Sequence, residues 1–170
     1  MVFGMEGGRS SSDLEGQVVL ITGASSGLGE QLAQAFYDEG CRLIICGRRQ
    51  NELERVRQDL LGSGRQRDPI YPPVTLQLDL EELDNLPAKM EASLAVYNRI
   101  DILVNNGGIS FRGEVAETSL DVDLRLMKTN YFGAVVLTKA ALPSMIRNRS
   151  GRIVMIGSVQ SKLAIPFRWD

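Results

Sequence analysis

The sequence predicts a doubly wound α/β domain, a parallel sheet with helices on both faces. Short apolar runs alternate along the chain with segments of helical periodicity. Each stretch between two runs is long enough to cross the sheet and return in parallel. The runs are continuously apolar rather than alternating, as strands buried on both faces require. At 170 residues, 44% of them hydrophobic, the chain is long enough for one domain with a core. No internal repeat or linker divides it.

Residues 1–15, rich in Gly and Ser, read as a flexible leader, and residues 16–170 as the domain. Val18 to Thr22 is a β-branched run ending at a glycine, the first strand. Leu28, Leu32, Ala35 and Phe36 follow at helical spacing until Gly40 stops the helix. Leu43 to Cys46 is the second strand, and Leu53, Val56 and Leu60 share one face of the second helix. G-S-G-R-Q-R-D-P, extended by Pro72-Pro73, is a loop before a third strand, Val74 to Leu78. Pro87 suits the first turn of a third helix carrying Met90, Leu94 and Tyr97. Ile102 to Val104 is strand four. A long fourth helix, residues 119–148, shows a stripe of Leu120, Leu124, Met127, Tyr131, Val135, Thr138 and Leu142. It is apolar nearly all round from Tyr131 to Leu142, so it needs cover on both sides. Ile153 to Ile156 is strand five.

Composition removes whole classes of function. The formal net charge is −2, which offers no bulk attraction to nucleic acid or to anionic lipid. There is no histidine, so His-based triads, H-E-x-x-H zinc sites and C₂H₂ fingers are excluded. Acid–base chemistry would have to come from a carboxylate, Lys, Tyr or Cys. Cys41 and Cys46, ~16 Å apart along one strand, are too far apart for a disulfide and read as buried free thiols. No apolar run is long enough to span a bilayer, and the start lacks a signal-peptide layout. A soluble, cytoplasmic chain is expected.

Four features carry chemistry. T-G-A-S-S-G-L-G at the first strand-to-helix turn sets Gly23, Gly27 and Gly29 where backbone must approach a pyrophosphate. Amides of the helix N-terminus would then face the anion. The alternative is a Gly-rich turn with no ligand, and the motif's place after a strand and before a helix speaks against it. The second strand ends in C-G-R-R, with Gly47, Arg48 and Arg49 where an NAD site carries an acid for the ribose. Two positive charges in a helix's first turn oppose its dipole, and the 2′-phosphate of NADP would compensate them. Solvated arginines are the alternative, more so for Arg49. Asp79 closes the third strand at the crevice edge, as a partner for an adenine amino group or as a cap for the next turn. N-N-G-G at 105–108 follows strand four, in a loop suited to a flat ligand or a plain turn.

In this order and spacing, together with Asn130 in the long helix and I-G-S after strand five, these motifs resemble the short-chain dehydrogenases/reductases. M-K-T-N-Y-F-G, A-L-P-S-M-I and A-I-P-F-R look most like the dehydrogenase/reductase member seven subgroup. The resemblance runs from about residue 16 to Arg168, the front part of a Rossmann-like domain. It implies an NADP-dependent oxidoreductase that interconverts a carbonyl and an alcohol, with NADP(H) favoured over NAD(H). By it, Gly23, Ser25, Gly27, Leu28 and Gly29 wrap the cofactor phosphates, and Arg48 meets the 2′-phosphate. Asp79 meets the adenine and Asn105 the strand-four side of the nicotinamide riboside, with Ser26, Leu80 and Gly107 completing the cofactor set. Ser158 would hydrogen-bond the substrate carbonyl, and Asn130 would hold a proton-relay water. Subgroup relatives can associate with the endoplasmic reticulum membrane. The epimerase branch of the same superfold usually has a different glycine spacing.

The family's chemistry also needs a tyrosine followed four residues on by lysine, whose charge brings the phenol toward working pH. Tyr37, Tyr71, Tyr97 and Tyr131 are followed by Cys41, Thr75, Asp101 and Val135. The residue twelve beyond Ser158 is Asp170, the last. The expectation is a C-terminally truncated domain of low catalytic power, since a positioned general acid is worth ~10²–10⁴ in rate. Strand five would then be a bare apolar edge. The alternative function is an inactive product that binds NADP(H) weakly, or pairs with a full-length relative or a second copy through the 119–148 helix.

Overall fold

The computed structural model describes residues 14–63 and 71–162. Most of the expected leader, the 64–70 part of the predicted loop and the A-I-P-F-R motif lie outside them. Five strands form one parallel sheet in the order β3-β2-β1-β4-β5. They are β1 (Val18–Thr22), β2 (Arg42–Gly47), β3 (Val74–Gln77), β4 (Ile102–Asn105) and β5 (Arg152–Met155). Each strand lies within a residue or two of its sequence expectation. The order reverses between β1 and β4, so a crevice opens at the carboxyl ends of those two strands, where open α/β sheets take ligands.

The period of two along β1 divides the core. Val18 and Leu20 face one side with Ile44, Leu86, Met90, Leu103, Leu137 and Met145. Val19 and Ile21 face the other with Ala33, Leu43, Leu53, Val56 and Leu60. Accordingly α3 (Leu86–Tyr97) and α5 (Gly133–Arg147) cover the first face, and α1 (Gly27–Asp38) and α2 (Gln50–Gly62) the second. Cys41 and Cys46, an odd number of residues apart, fall on opposite faces. Both are buried and free. Leu14, inside the expected leader, packs against the second face, and its carbonyl accepts from Cys41 Sγ at 3.2 Å.

The long helix corrects its sequence reading in two ways. It is not uniform: α4 (Leu120–Met127) passes through a π-helical turn, Lys128–Phe132, into α5. The expected stripe is also not the core face. Leu120, Leu124, Met127 and Tyr131 are exposed, whereas Leu126, Thr129, Ala134, Leu137, Ala141 and Met145 are buried. Both faces are apolar, so periodicity cannot choose between them, and the extra residue of the π turn rotates one half of the stripe away from the other. Gly133, just after that turn, lies so close to the Leu80 carbonyl that a Cβ would approach the oxygen at 2.7 Å. Among the described residues, β5 is an exposed sheet edge.

Candidate functional site

A cavity of about 360 Å³ opens at the carboxyl edge of β1, β2 and β4. Thr22 organises its floor. Its Oγ1 accepts from the backbone N–H of Asn106 at 3.0 Å and of Gly107 at 2.9 Å. The Asn106 amide donates to the carbonyls of Thr22 at 3.0 Å and Gly23 at 3.3 Å. The glycine loop is thereby tied to the loop after β4 across more than eighty residues of sequence. Ala24 N donates to the Cys46 carbonyl at 3.0 Å, which ties the same loop to the end of β2.

The glycines divide into two kinds. A Cβ on Gly23 would lie 2.7 Å from the Gly107 Cα, and one on Gly29 would collide with the Gly23 carbonyl. Those two let the backbones pack. Gly27 has open space around it but φ +60°, a conformation that it shares with Gly23 at +65° and that costs a residue with a Cβ. Ser26 precedes α1 without capping it. Its hydroxyl accepts from Arg49 Nη2 at 3.2 Å instead, so the first-turn amides of α1 have no side-chain cap.

Gly23, Ser25, Ser26, Leu28, Gly29, Arg48, Asp79, Leu80 and Gly107 all line the cavity. Leu28, helical but exposed, turns away from the core. Asp79 lines the cavity, and its Oδ1 accepts from the Glu81 amide at 3.0 Å, shaping the following turn as its cap reading expects. Arg48 is half exposed and lies 3.7 Å from Glu81, which also takes Arg125 at 2.9 Å.

Four expected site residues do not line this cavity. Gly27 is in the loop but not on the cavity wall. Asn105 ends β4 with its amide turned under the sheet, donating to Thr138 Oγ1 at 3.1 Å and to Met155 Sδ at 3.2 Å. Its buried Oδ1 has no partner. Asn130 has no position on the cavity wall and instead holds the loop after β4 by both backbone groups of Ile109. Ser158 lies just past β5, where its Oγ accepts from the Gln160 amide at 3.1 Å.

Sequence reasoning missed Leu78, Ile109 and Thr129 as lining residues, and reached Gly47, Arg49, Asn106 and Gly108 only as members of the C-G-R-R and N-N-G-G motifs. Most are immediate neighbours of residues it chose, and nothing local says which of two adjacent side chains turns inward. Thr129, in the π turn, is buried and its hydroxyl has no partner.

The wall is thus built of backbone amides, two serine hydroxyls, two arginines and one carboxylate, with no side chain on the last residue of β2. Such a donor set suits a phosphorylated nucleotide. The short chain dehydrogenase model matches residues 17–168. The chain belongs to that family.

Among its curated relatives, this short chain dehydrogenase family member is 59% identical over 157 residues to the Drosophila melanogaster "Dehydrogenase/reductase SDR family protein 7-like", covering 92% of this chain and 48% of that protein. It is 44% identical over 160 residues to the Bos taurus "Dehydrogenase/reductase SDR family member 7B", covering 94% of this chain and 49% of that protein. The chain therefore spans about half the length of the curated relatives it matches. A metagenomic short-chain oxidoreductase solved in complex with NADP superposes with a TM-score of 0.83 at 28% identity, over 94% of this chain and 69% of that one. The member seven resemblance seen in the motifs agrees with these names. Among the described residues, no helix is long and apolar enough to cross a membrane.

Proposed function

We propose that the cavity binds NADP(H), and that the chain is the cofactor-binding part of an oxidoreductase that interconverts a carbonyl and an alcohol. One observation carries the cofactor reading: two arginines reach the cavity beside a side-chain-free Gly47, where an NAD site would place an acid. The α1 N-terminus and the 23–29 loop would hold the pyrophosphate, Asp79 and Leu80 the adenine, and the loop after β4 the nicotinamide riboside. When bound, the nicotinamide supplies or accepts the hydride. Ser158 would donate to the substrate oxygen from the same sheet edge. Asn130 would act by fixing the 106–109 loop through Ile109, with its remaining capacity open to a relay water. The substrate is a small molecule bearing a carbonyl or hydroxyl.

A second reading is favoured by the exposed apolar face at the start of the long helix. In it the chain binds NADP(H) without turnover, or pairs with a longer relative or a second copy through the exposed Leu120, Leu124, Met127 and Tyr131 face. Thermal denaturation with each cofactor tests the shared premise. NADPH at about a hundred times its Kd would stabilise by about 2.7 kcal/mol. Stabilisation by NADPH and not by NADH supports the site, and no shift with either refutes it. NADPH oxidation with a carbonyl panel then separates the two readings.

A further inference from the structure

Behind the small net charge lies a segregated one. Between Asp123 and Asp170 there is no acidic residue, while eight positions are Lys or Arg. Three of these, Arg147, Arg149 and Arg152, frame Ser150 at positions −3, −1 and +2. Arg147 ends α5 and Arg152 begins β5, so the group sits at the amino edge of the sheet, opposite the nucleotide cavity. Residues 146–152 are all exposed. Among the described residues none of the three arginines has a carboxylate partner.

A second cavity, of about 290 Å³, opens at this edge, lined by Gln17, Arg99, Asp101, Ser150, Gly151 and Arg152. Asp101 is the acid in its wall, and it is already engaged: Oδ2 accepts from the Val18 amide at 2.9 Å and Oδ1 from Arg99 Nε at 2.9 Å. Arg152 Nη1 makes a long contact, 3.5 Å, with the Gln17 amide oxygen. Its guanidinium therefore stands uncompensated in the wall. Ser150 is tied through its backbone N–H, which donates to the Met145 carbonyl at 3.1 Å; among the described residues its hydroxyl has no hydrogen-bond partner. The turn is also strained. Arg149 closes α5 at φ +50°, the left-handed conformation that disfavours a residue with a Cβ. Release of that strain favours local opening at a helix end, where opening is easiest.

We propose that Ser150 is a phosphoacceptor for an arginine-directed protein kinase, and that the cavity beside it holds the phosphate through Arg152 and Arg99. In the transfer, Ser150 Oγ bonds to the γ-phosphorus of ATP as the bond from that phosphorus to the β,γ-bridging oxygen breaks. ADP leaves, and the hydroxyl proton passes to the kinase's catalytic base. The product carries about −1.5 to −2 charges, set among three unpaired guanidiniums, and takes charge-assisted hydrogen bonds from the two that line the cavity. The carbonyl end of α5 opposes an anion, but that effect fades within a turn and Ser150 lies three residues past the helix. The phosphate pins the end of α5 to the segment before β4 and the start of β5. The site is independent of what fills the nucleotide cavity at the other edge.

The full chain and its Ser150→Ala, Arg147→Gln and Arg152→Gln variants, with folds checked by circular dichroism, are incubated with Mg-ATP and the catalytic subunit of cyclic-AMP-dependent protein kinase. That kinase recognises arginines preceding its acceptor serine. Peptide mass spectrometry is expected to find phosphate at Ser150 of the native wild type and none at position 150 of Ser150→Ala. Arg147→Gln, which leaves the cavity intact, is expected to label about tenfold more slowly. In the phosphorylated native chain, ³¹P NMR is expected to place the second phosphate ionisation about half a pH unit or more below its value in a phosphopeptide of residues 144–156, which lacks Arg99. Arg152→Gln is expected to return it toward the peptide's value. No labelling of Ser150, or labelling only after unfolding in urea, overturns the acceptor assignment. Labelling with an ionisation equal to the peptide's overturns the role given to the cavity.

Discussion

Asn130 grips Ile109 by both of its backbone groups. Its Oδ1 accepts from the Ile109 N–H at 2.8 Å, and its Nδ2 donates to the Ile109 carbonyl at 2.8 Å. A side chain in the π turn, twenty-one residues on, thereby fixes the loop that lines the cavity after β4. Only an amide can do both, because it carries a donor and an acceptor on one planar group. Asn130→Asp keeps the acceptor and loses the donor, and Asn130→Leu loses both. The Leu variant is expected to lose about 1–2 kcal/mol and to raise hydrogen exchange at the Ile109 amide, with Asp between it and the wild type. Unchanged exchange at Ile109 in the Leu variant would contradict the clamp.

Gly133 sets how closely the long helix approaches Leu80. A Cβ would meet the Leu80 carbonyl oxygen at 2.7 Å and its Cβ at 2.9 Å, and backbone cannot step aside as a flexible side chain can. Gly133→Ala is expected to destabilise by about 1–3 kcal/mol in urea denaturation. It should also weaken nucleotide binding, because Leu80 and the adjacent Asp79 line the cavity. Gly62→Ala, with nothing within 4 Å and the end of α2 around it, is the control.

The core face of the long helix can be read by truncation. Leu137 is fully buried, whereas Leu124 is 51% exposed. Leu137→Ala should cost about 2–5 kcal/mol, while Leu124→Ala should stay within about 0.5 kcal/mol. Equal losses in chemical denaturation would return the core to the Leu120–Leu124–Met127 face.

Arg55 joins α2 to the start of α1. It pairs with Glu30 at 3.0 Å and donates to the Ser25 carbonyl at 3.4 Å. Its hydrogen bond holds the Glu30 carboxyl below the ordinary 4.5, with burial opposing. A carboxylate lowered in the folded state stabilises above its unfolded value, and that stabilisation is lost as pH falls through the folded one. Arg55→Gln should therefore raise the Glu30 titration midpoint in carboxyl NMR and reduce the acid-side loss of stability below pH 4.5 that Glu30 contributes. A midpoint that does not move would exclude the pairing in solution.

Burial pushes the Cys46 thiol from 9.0 up to about 12, and burial together with the Glu39 and Asp101 charges pushes Cys41 up to about 11. Neither is expected to react with iodoacetamide in the native chain at pH 8, since the thiolate is the nucleophile. Raised values also mean that the folded state holds its protons longer. The stabilising contribution is complete below the unfolded thiol value and is lost as pH rises through 9 toward 11 and 12. Rapid labelling of either thiol before unfolding, followed by mass spectrometry, would show that the burial is wrong.

Much of this molecule was readable along the chain because its cues are local. A β-branched run ending at Gly23, a helix stopped at Gly40 and Pro87 in a first turn each depend on neighbours within a few residues. The spacing of T-G-A-S-S-G-L-G after such a run identified the cavity's main wall. Asn105 shows where local cues end. It and Asn106 are adjacent and chemically identical, yet one turns under the sheet to Thr138 and the other reaches Thr22 and Gly23.

The sequence by itself determined the order of strands and helices, the parallel sheet, the glycine loop and the placing of positive charge where an acid would favour NAD. Tertiary structure alone decided which apolar face of the 119–148 segment is buried, which asparagine lines the cavity, and that Arg48 is paired with Glu81 while Arg49 rests on two serines. The reason is one of range. Periodicity and turn chemistry are settled within one or two helical turns of chain, whereas the direction of a side chain beside an equivalent neighbour is settled by partners twenty to eighty residues away, which exist only once the sheet has formed.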